Sequence, residues 1–362
     1  QAPSDPTGFA MGEGQPVRQG HAPHAVVNDF AQPGAGSATF SGHAPVVVRG
    51  QVIDVPAGSL TVTGQAPTDV LGVVAQPGAG SLVITGQAPT ALVNHLVQPG
   101  SGSLVNTGQA PSIAGTSTYQ PEVGTVTAQG YAPIVAIGVG VPAGSLSATG
   151  QNPATVVGFI EQPGQGAISV QGYAPTLVIA QIEQPDSGAV TITGHAPTAL
   201  VSTPGNTNYA PDAGSITVTG YGPTLALTMP VPAGSVAVTG YAPSAVVGRF
   251  ASPGAGSLAI TGQAPTILRG AVVQPGSGSL VIVGQAPTNL VALLEQPGNG
   301  SAQITGHAPS VQVGASSAPG AGNVTAQGYA PSVVVGTISQ PGNGSATVSG
   351  YEPAVVQNYI AQ

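Results

Sequence analysis

A Gly-x-Ala-Pro corner, with small variations, returns at Pro23, Pro45, Pro67, Pro89, Pro111, Pro133, Pro153, Pro175, Pro197, Pro223, Pro243, Pro265, Pro287, Pro309, Pro331 and Pro353, and Pro3 makes a seventeenth copy. Most spacings are 22 residues; three are 20, and one, from Pro197 to Pro223, is 26. All of these are even. Side chains alternate between the two faces of a strand, so a change of two residues keeps every side chain on its face. A change of one would invert the whole segment. Even variation is the mark of β structure, and a helix has no such parity.

One unit, Pro67 to Pro89, shows the plan. Thr68 to Ala75 is an apolar segment, and Gln76-Pro77-Gly78-Ala79-Gly80 is a turn. Ser81-Leu82-Val83-Ile84-Thr85 is a second segment, and Gly86-Gln87-Ala88-Pro89 is a second turn. Proline fixes φ and glycine opens conformations other residues avoid, so each turn has a mechanism. The second segment alternates. Leu60, Leu82, Leu104 and Leu146 form one apolar column, and Val62, Ile84, Val170 and Ile192 form another two residues on. Threonines such as Thr61, Thr63, Thr191 and Thr193 fall between and after them, which predicts apolar side chains inward and threonine outward.

The first segment differs. Counting from the corner proline, Val48, Val70, Leu92, Val156, Val178, Leu200, Val246 and Leu290 sit at +3, and Leu71, Val93, Val157, Ile179, Val201 and Val247 sit at +4. These columns point to opposite faces and both are apolar, the pattern of a strand buried on both sides. One face meets the chain's own core. The other needs a cover, and the simplest is another copy of the chain. Glycine dominates +5, with Gly50, Gly72, Gly138, Gly158, Gly248 and Gly270 among its members, which signals close backbone approach or a bulge.

Composition agrees. Gly 55 and Pro 36 would suggest low complexity, yet hydrophobic residues are 41% and charged residues 4%. So apolar and uncharged a chain must bury its aliphatics, unlike a disordered one. With four Lys+Arg against twelve Asp+Glu, the net charge of −8 repels phosphate backbones, so nucleic acid is not an expected partner. No apolar run approaches 18 residues, so no membrane insertion is expected. Cysteine is absent, which excludes disulfides and thiolate metal sites.

The expected fold is all-β: a repetitive β-solenoid or β-fibre of about seventeen repeats of 22 residues, two short strands per repeat. Two packings fit. In a solenoid each repeat is one coil and equivalent residues stack in ladders, alone or as an intertwined homotrimer. In an antiparallel meander each repeat is a hairpin and the sheet closes by wrapping or by joining other chains. Residues 1–22 read as an irregular N-terminal repeat or cap, 23–350 as the tandem repeats, and 351–362 as a partial repeat or C-terminal cap.

The residue two before the corner proline is always Gln, Tyr or His. The candidate surface-recognition column is His43, Tyr131, Tyr173, His195, Tyr221, Tyr241, His307 and Tyr329, with glutamines such as Gln65, Gln151, Gln263 and Gln285 between. One reading is a glycan-binding stripe; the other is a structural ladder of stacked rings and amides closing the turn. His21, His24 and His43 lie in adjacent repeats, but no carboxylate cluster accompanies them, so no metal or other cofactor is expected. Thr61/Thr63, Thr191/Thr193 and Thr217/Thr219 would suit an ice-binding face, although threonine is also an ordinary outward strand residue. No carboxylate pair stands apart at a unique site and no serine is singled out beside a base, so no catalytic residues are expected.

Units such as Gln76-Pro77-Gly78-Ala79-Gly80-Ser81-Leu82-Val83-Ile84-Thr85-Gly86-Gln87-Ala88-Pro89-Thr90 resemble the Gly/Pro-rich repeats of virion structural and fibre proteins of tailed bacteriophages. That resemblance implies an extracellular place on a virion and a homo-oligomeric fibre, appendage or decoration. It also implies other virion proteins and host-surface glycans as partners. The expected function is a structural β rod of this kind; the alternative is a secreted bacterial surface filament or adhesin with a glycan- or ice-binding face.

Overall fold

The computed structural model describes residues 17–20, 24–31, 37–55, 59–77, 81–97, 103–119, 125–139, 145–161, 167–183, 189–201, 215–227, 235–251, 257–273, 279–295, 301–317, 323–339, 345–357 and 360–361. From residue 37 to 357, each stretch holds one Gly-x-Ala-Pro corner with a strand on either side. The N-terminal segment 1–16, His21 and the middles of the Gln-Pro-Gly turns, such as 78–80, lie outside the described residues, as does the longest linker, 202–214.

All described strands pair in parallel and no helix occurs among the described residues. The chain divides into two compact units, Gln1–Ile179 and Ala180–Gln362. Among the described residues each unit is a β-solenoid with eight strands in one sheet; the other sheet has eight strands in the first unit, the last of them, Thr176–Glu183, running across the division, and nine in the second. At the usual strand spacing eight rungs span about 35 Å. Short strands such as Ser81–Thr85 form one sheet, and the strands that follow the corner proline, such as Thr90–Val97, form the other. One repeat is one coil. The parallel pairing therefore excludes the antiparallel meander.

Parity holds through the length changes. Ser215–Thr219 pairs residue for residue with Ala189–Thr193, 26 positions earlier, and with Ser235–Thr239, 20 positions later. Ile216 thus stacks on Val190 and beneath Val236, with no side chain inverted.

The core lies between the two sheets. On the short strands it takes the alternating columns expected, with Leu146, Leu258, Ile84, Val218, Ile260 and Ile282 all essentially inaccessible. On the longer strands the +4 column faces inward, as Val157, Ile179, Val201, Leu227 and Val247 show at 0% exposure. The +2 column joins it, through Ile113, Val135, Leu177, Leu225 and Ile267. The corner prolines from Pro45 to Pro331 are buried too, so each ring is a core side chain as well as a turn former.

The corner explains why this tetrapeptide recurs. Around Pro223, the Gly220 N–H donates to Thr239 O of the following coil at 3.0 Å. The N–H groups of Tyr221 and Gly222 both donate to His195 O of the preceding coil, at 2.7 and 3.1 Å, and that of Thr224 donates to Pro197 O at 2.9 Å. Every donor is used, and the one residue without an N–H is the proline. A Cβ on Gly220 would approach Pro197 Cδ to 2.5 Å and the Gly194 carbonyl oxygen closer still, which fixes glycine three before the proline.

The glycine column at +5 plays another part. The ladder runs Val247↔Arg269 and resumes at Arg249↔Ala271, passing over Gly248 and Gly270. It likewise passes from Val27↔Arg49 to Asp29↔Gln51, over Asn28 and Gly50. One residue is passed over on each strand and the offset stays at 22 on both sides, so the ladder lapses at this column without the extra residue of a bulge; a close backbone approach is seen at the corner glycine.

Among the described residues four polar side chains lie inside: Asp69, Asn106, Thr155 and Asn289. Asn106 donates from Nδ2 to Ser112 O at 2.7 Å and to Pro89 O at 3.2 Å. Asn289 stands at +2 between Ile267 and Val311, with its Oδ1 buried and unpartnered. Replacing Asn289 by valine therefore continues an apolar column and removes an unsatisfied acceptor. We expect Asn289→Val to stabilise the second unit by about 1–2 kcal/mol. The change would appear as a raised urea midpoint at unchanged slope.

Candidate recognition surfaces

The ring column lies at the corner, on the solvent side. Tyr131, Tyr173, Tyr221, Tyr241 and Tyr329 are 47–60% exposed, Tyr351 is 73% exposed, and His43, His195 and His307 are exposed as well. Two backbone hydrogen bonds per coil, from the ring residue and its successor to the preceding ring residue's carbonyl, fix the column at one side chain per rung.

In the second unit the structure gathers these residues into two triplets. His195 stacks on Tyr221 with centroids 5.1 Å apart and planes 10° from parallel, and Tyr221 stacks on Tyr241 at 4.9 Å and 2°. His307, Tyr329 and Tyr351 repeat the arrangement at 5.1 and 5.2 Å. Gln263 and Gln285 occupy the rungs between the triplets. In the first unit Tyr131 and Tyr173 have Gln151 between them, and His43 is followed by Gln65, Gln87 and Gln109. Stacked pairs of this kind each contribute about 0.5–1.5 kcal/mol. Inside a triplet the ring faces cover one another, so the column offers edges to solvent: phenolic hydroxyls and imidazole nitrogens.

A second surface is the outward side of the longer strands. In the first unit +3 is Val48, Val70, Leu92, Ala114, Ala136, Val156 and Val178 on successive rungs; in the second it is Leu200, Ala226, Val246, Leu268 and Leu290, then Gln312 and Val334. Leu92, Val156, Leu200, Val246, Leu268 and Leu290 are 38–44% exposed. Beside them at +1 runs a column that from Val46 to Ser332 is Ser or Thr except at Val46, Ile134 and Ala154, and it bonds along itself: Ser112 Oγ to Thr90 Oγ1 and Ser244 Oγ to Thr224 Oγ1, each at 3.3 Å. Neither column carries a charged residue from Val46 to Val334.

The paired threonines Thr191/Thr193 and Thr217/Thr219 do come together on adjacent outward rungs, but the first of their columns continues as Ala237 and Ala259. Among the described residues no group of three or more His, Cys, Asp or Glu could hold a metal ion. The +2 core column escaped sequence reasoning because Asp69, Ala91, Thr155 and Asn289 interrupt it; its separation of two from the apolar +4 column was the available signal. The chain matches no family model, no curated protein and no solved structure.

Proposed function

We propose that this chain is a non-enzymatic structural protein whose solenoids associate with further copies of themselves to build a fibre, appendage or decoration on a bacteriophage particle. The carrying observation is the outward +3 column: aliphatic on five or more successive rungs, about two-fifths exposed where it is largest, and uncharged. Contiguous apolar patches of this kind mark interaction surfaces. A partner that keeps contact from rung to rung must itself repeat at the strand spacing, which another copy of this solenoid does. The absence of charge removes the repulsion that like copies would otherwise suffer. The phage setting rests on the likeness of the repeats to those of virion fibre proteins.

Sedimentation equilibrium tests the association. The wild-type chain should run as a homo-oligomer, with two and three copies distinguishable by mass. Leu268→Glu with Leu290→Glu, on adjacent rungs of the stripe, should run as a monomer with an unchanged β circular-dichroism spectrum. A wild-type chain that stays monomeric at high micromolar concentration would remove the basis for self-assembly. Mass spectrometry of purified particles tests the setting, and failure to find the chain in them would count against a virion role.

A further inference from the structure

We infer that the two ring triplets of the second unit form a binding track for an extended β-1,4-linked polysaccharide lying parallel to the coil-stacking direction. This reading concerns the corner surface alone and does not depend on self-association.

The geometry is that of two periodic objects in register. Successive rings in His195–Tyr221–Tyr241 and His307–Tyr329–Tyr351 are 4.9–5.2 Å apart. An extended β-1,4-linked glycan is a flat ribbon that advances by nearly the same length per sugar. An α-1,4-linked chain of the same monomer coils and cannot keep that step. Each rung therefore meets one sugar, and no contact has to stretch as the chain lengthens.

The chemistry of the track suits such a ribbon. Because the rings lie face to face, what reaches solvent is a row of phenolic hydroxyls and imidazole nitrogens that can both donate to and accept from sugar hydroxyls. Two residues earlier in each coil runs a second polar row, Thr193, Thr219, Thr239 and Thr261, paired rung to rung. Between the rows lie Gly194, Gly220 and Gly240, which contribute no side chain. At Gly220 and Gly240 the preceding coil leaves no room for one. The second triplet is flanked in the same way by Thr305, Gln327 and Ser349, with Gly306, Gly328 and Gly350 between. The result is two polar rows with backbone free of side chains between them. Neither row holds a carboxylate, ammonium or guanidinium group, so the track favours a neutral glycan. Each sugar contributes little alone, and affinity accumulates along the array as multivalent contact does.

Isothermal titration calorimetry with defined oligosaccharides tests this. Cellohexaose and chitohexaose share the linkage and differ at the sugar's second carbon, so their relative affinities separate a glucan from an amino-sugar polymer as the source. We expect at least one of them to bind, with affinity rising at least tenfold from the disaccharide to the hexasaccharide, and maltohexaose to bind at least tenfold more weakly. The variant Tyr221→Gln/Tyr241→Gln/Tyr329→Gln/Tyr351→Gln uses the residue already found at Gln263 and Gln285, so its fold should persist; it should lose binding at least tenfold. No heat with either β-1,4 hexasaccharide at millimolar concentration would overturn the proposal. So would equal binding of maltohexaose, or full retention of binding by the glutamine variant with native circular dichroism. None of these outcomes bears on the oligomer measured by sedimentation.

Discussion

Gly220→Ala should prevent the second unit from folding as a cooperative solenoid, whereas Gly222→Ala, two residues away in the same corner, should leave it intact or slightly more stable. The difference lies in what a Cβ would meet. At Gly220 it runs into the Gly194 carbonyl and the Pro197 ring, both belonging to the preceding coil and neither a flexible side-chain end. Relief requires the coils to separate, and separation breaks the bonds from Tyr221 N–H to His195 O and from Thr224 N–H to Pro197 O. The expected cost exceeds about 4 kcal/mol, in the range that single substitutions seldom reach. At Gly222 nothing lies within 4 Å of the added methyl, and alanine is the residue most corners carry at that place. There the loss of unfolded-state freedom should stabilise by about 0.4–1 kcal/mol. Urea unfolding of the two variants side by side decides it. A Gly220→Ala protein with the wild-type midpoint would mean that the coils do not stack as closely as described.

Ile260→Ala is expected to cost about 2–5 kcal/mol. Ile260 is fully buried in a column between Val238 and Ile282, which are fully buried as well. Each side chain in such a column has a counterpart above and below and the other sheet's core column in front of it, so a truncation opens a cavity bounded by the neighbouring rungs and the facing sheet. In a solenoid, where coils contact nearest neighbours, the damage should be local. Hydrogen exchange should accelerate most in Ser235–Thr239, Ser257–Thr261 and Ser279–Val283. The neighbouring Thr261→Ala, on the exposed side of the same strand, should stay within about 0.5 kcal/mol of wild type. If the two variants proved equally mild, the inward assignment of the column would be wrong.

Much of this fold was legible because the repeat reports its own parity. Spacings of 20, 22 and 26 permit stacking without inversion, and Leu146 or Ile84 could be placed inward and Thr63 or Thr85 outward from alternation alone. Other features depend on contacts between coils. Two glycine columns look alike in sequence, yet Gly220 abuts the preceding coil while Gly248 sits where pairing lapses. The +2 column hides behind its polar members, since a strand position holding Asp69 or Asn289 does not read as core. The ring column was visible as a set of residues at one place in the repeat. What it lacked was the mutual coverage of ring faces, which depends on rings occupying consecutive coils, as His195, Tyr221 and Tyr241 do and as Tyr131 and Tyr173 do not.

The corner bonds and the ladder bonds share one orientation, from coil to coil, while the covalent backbone runs across it. Each unit is therefore mechanically anisotropic. Tension applied across the stack is borne by peptide bonds. Tension applied along it is borne by hydrogen bonds and packed side chains alone, several of them at every coil junction. The force needed to pull adjacent coils apart is set by how many of these act at once, so coil width, rather than coil number, determines tensile strength along the stack.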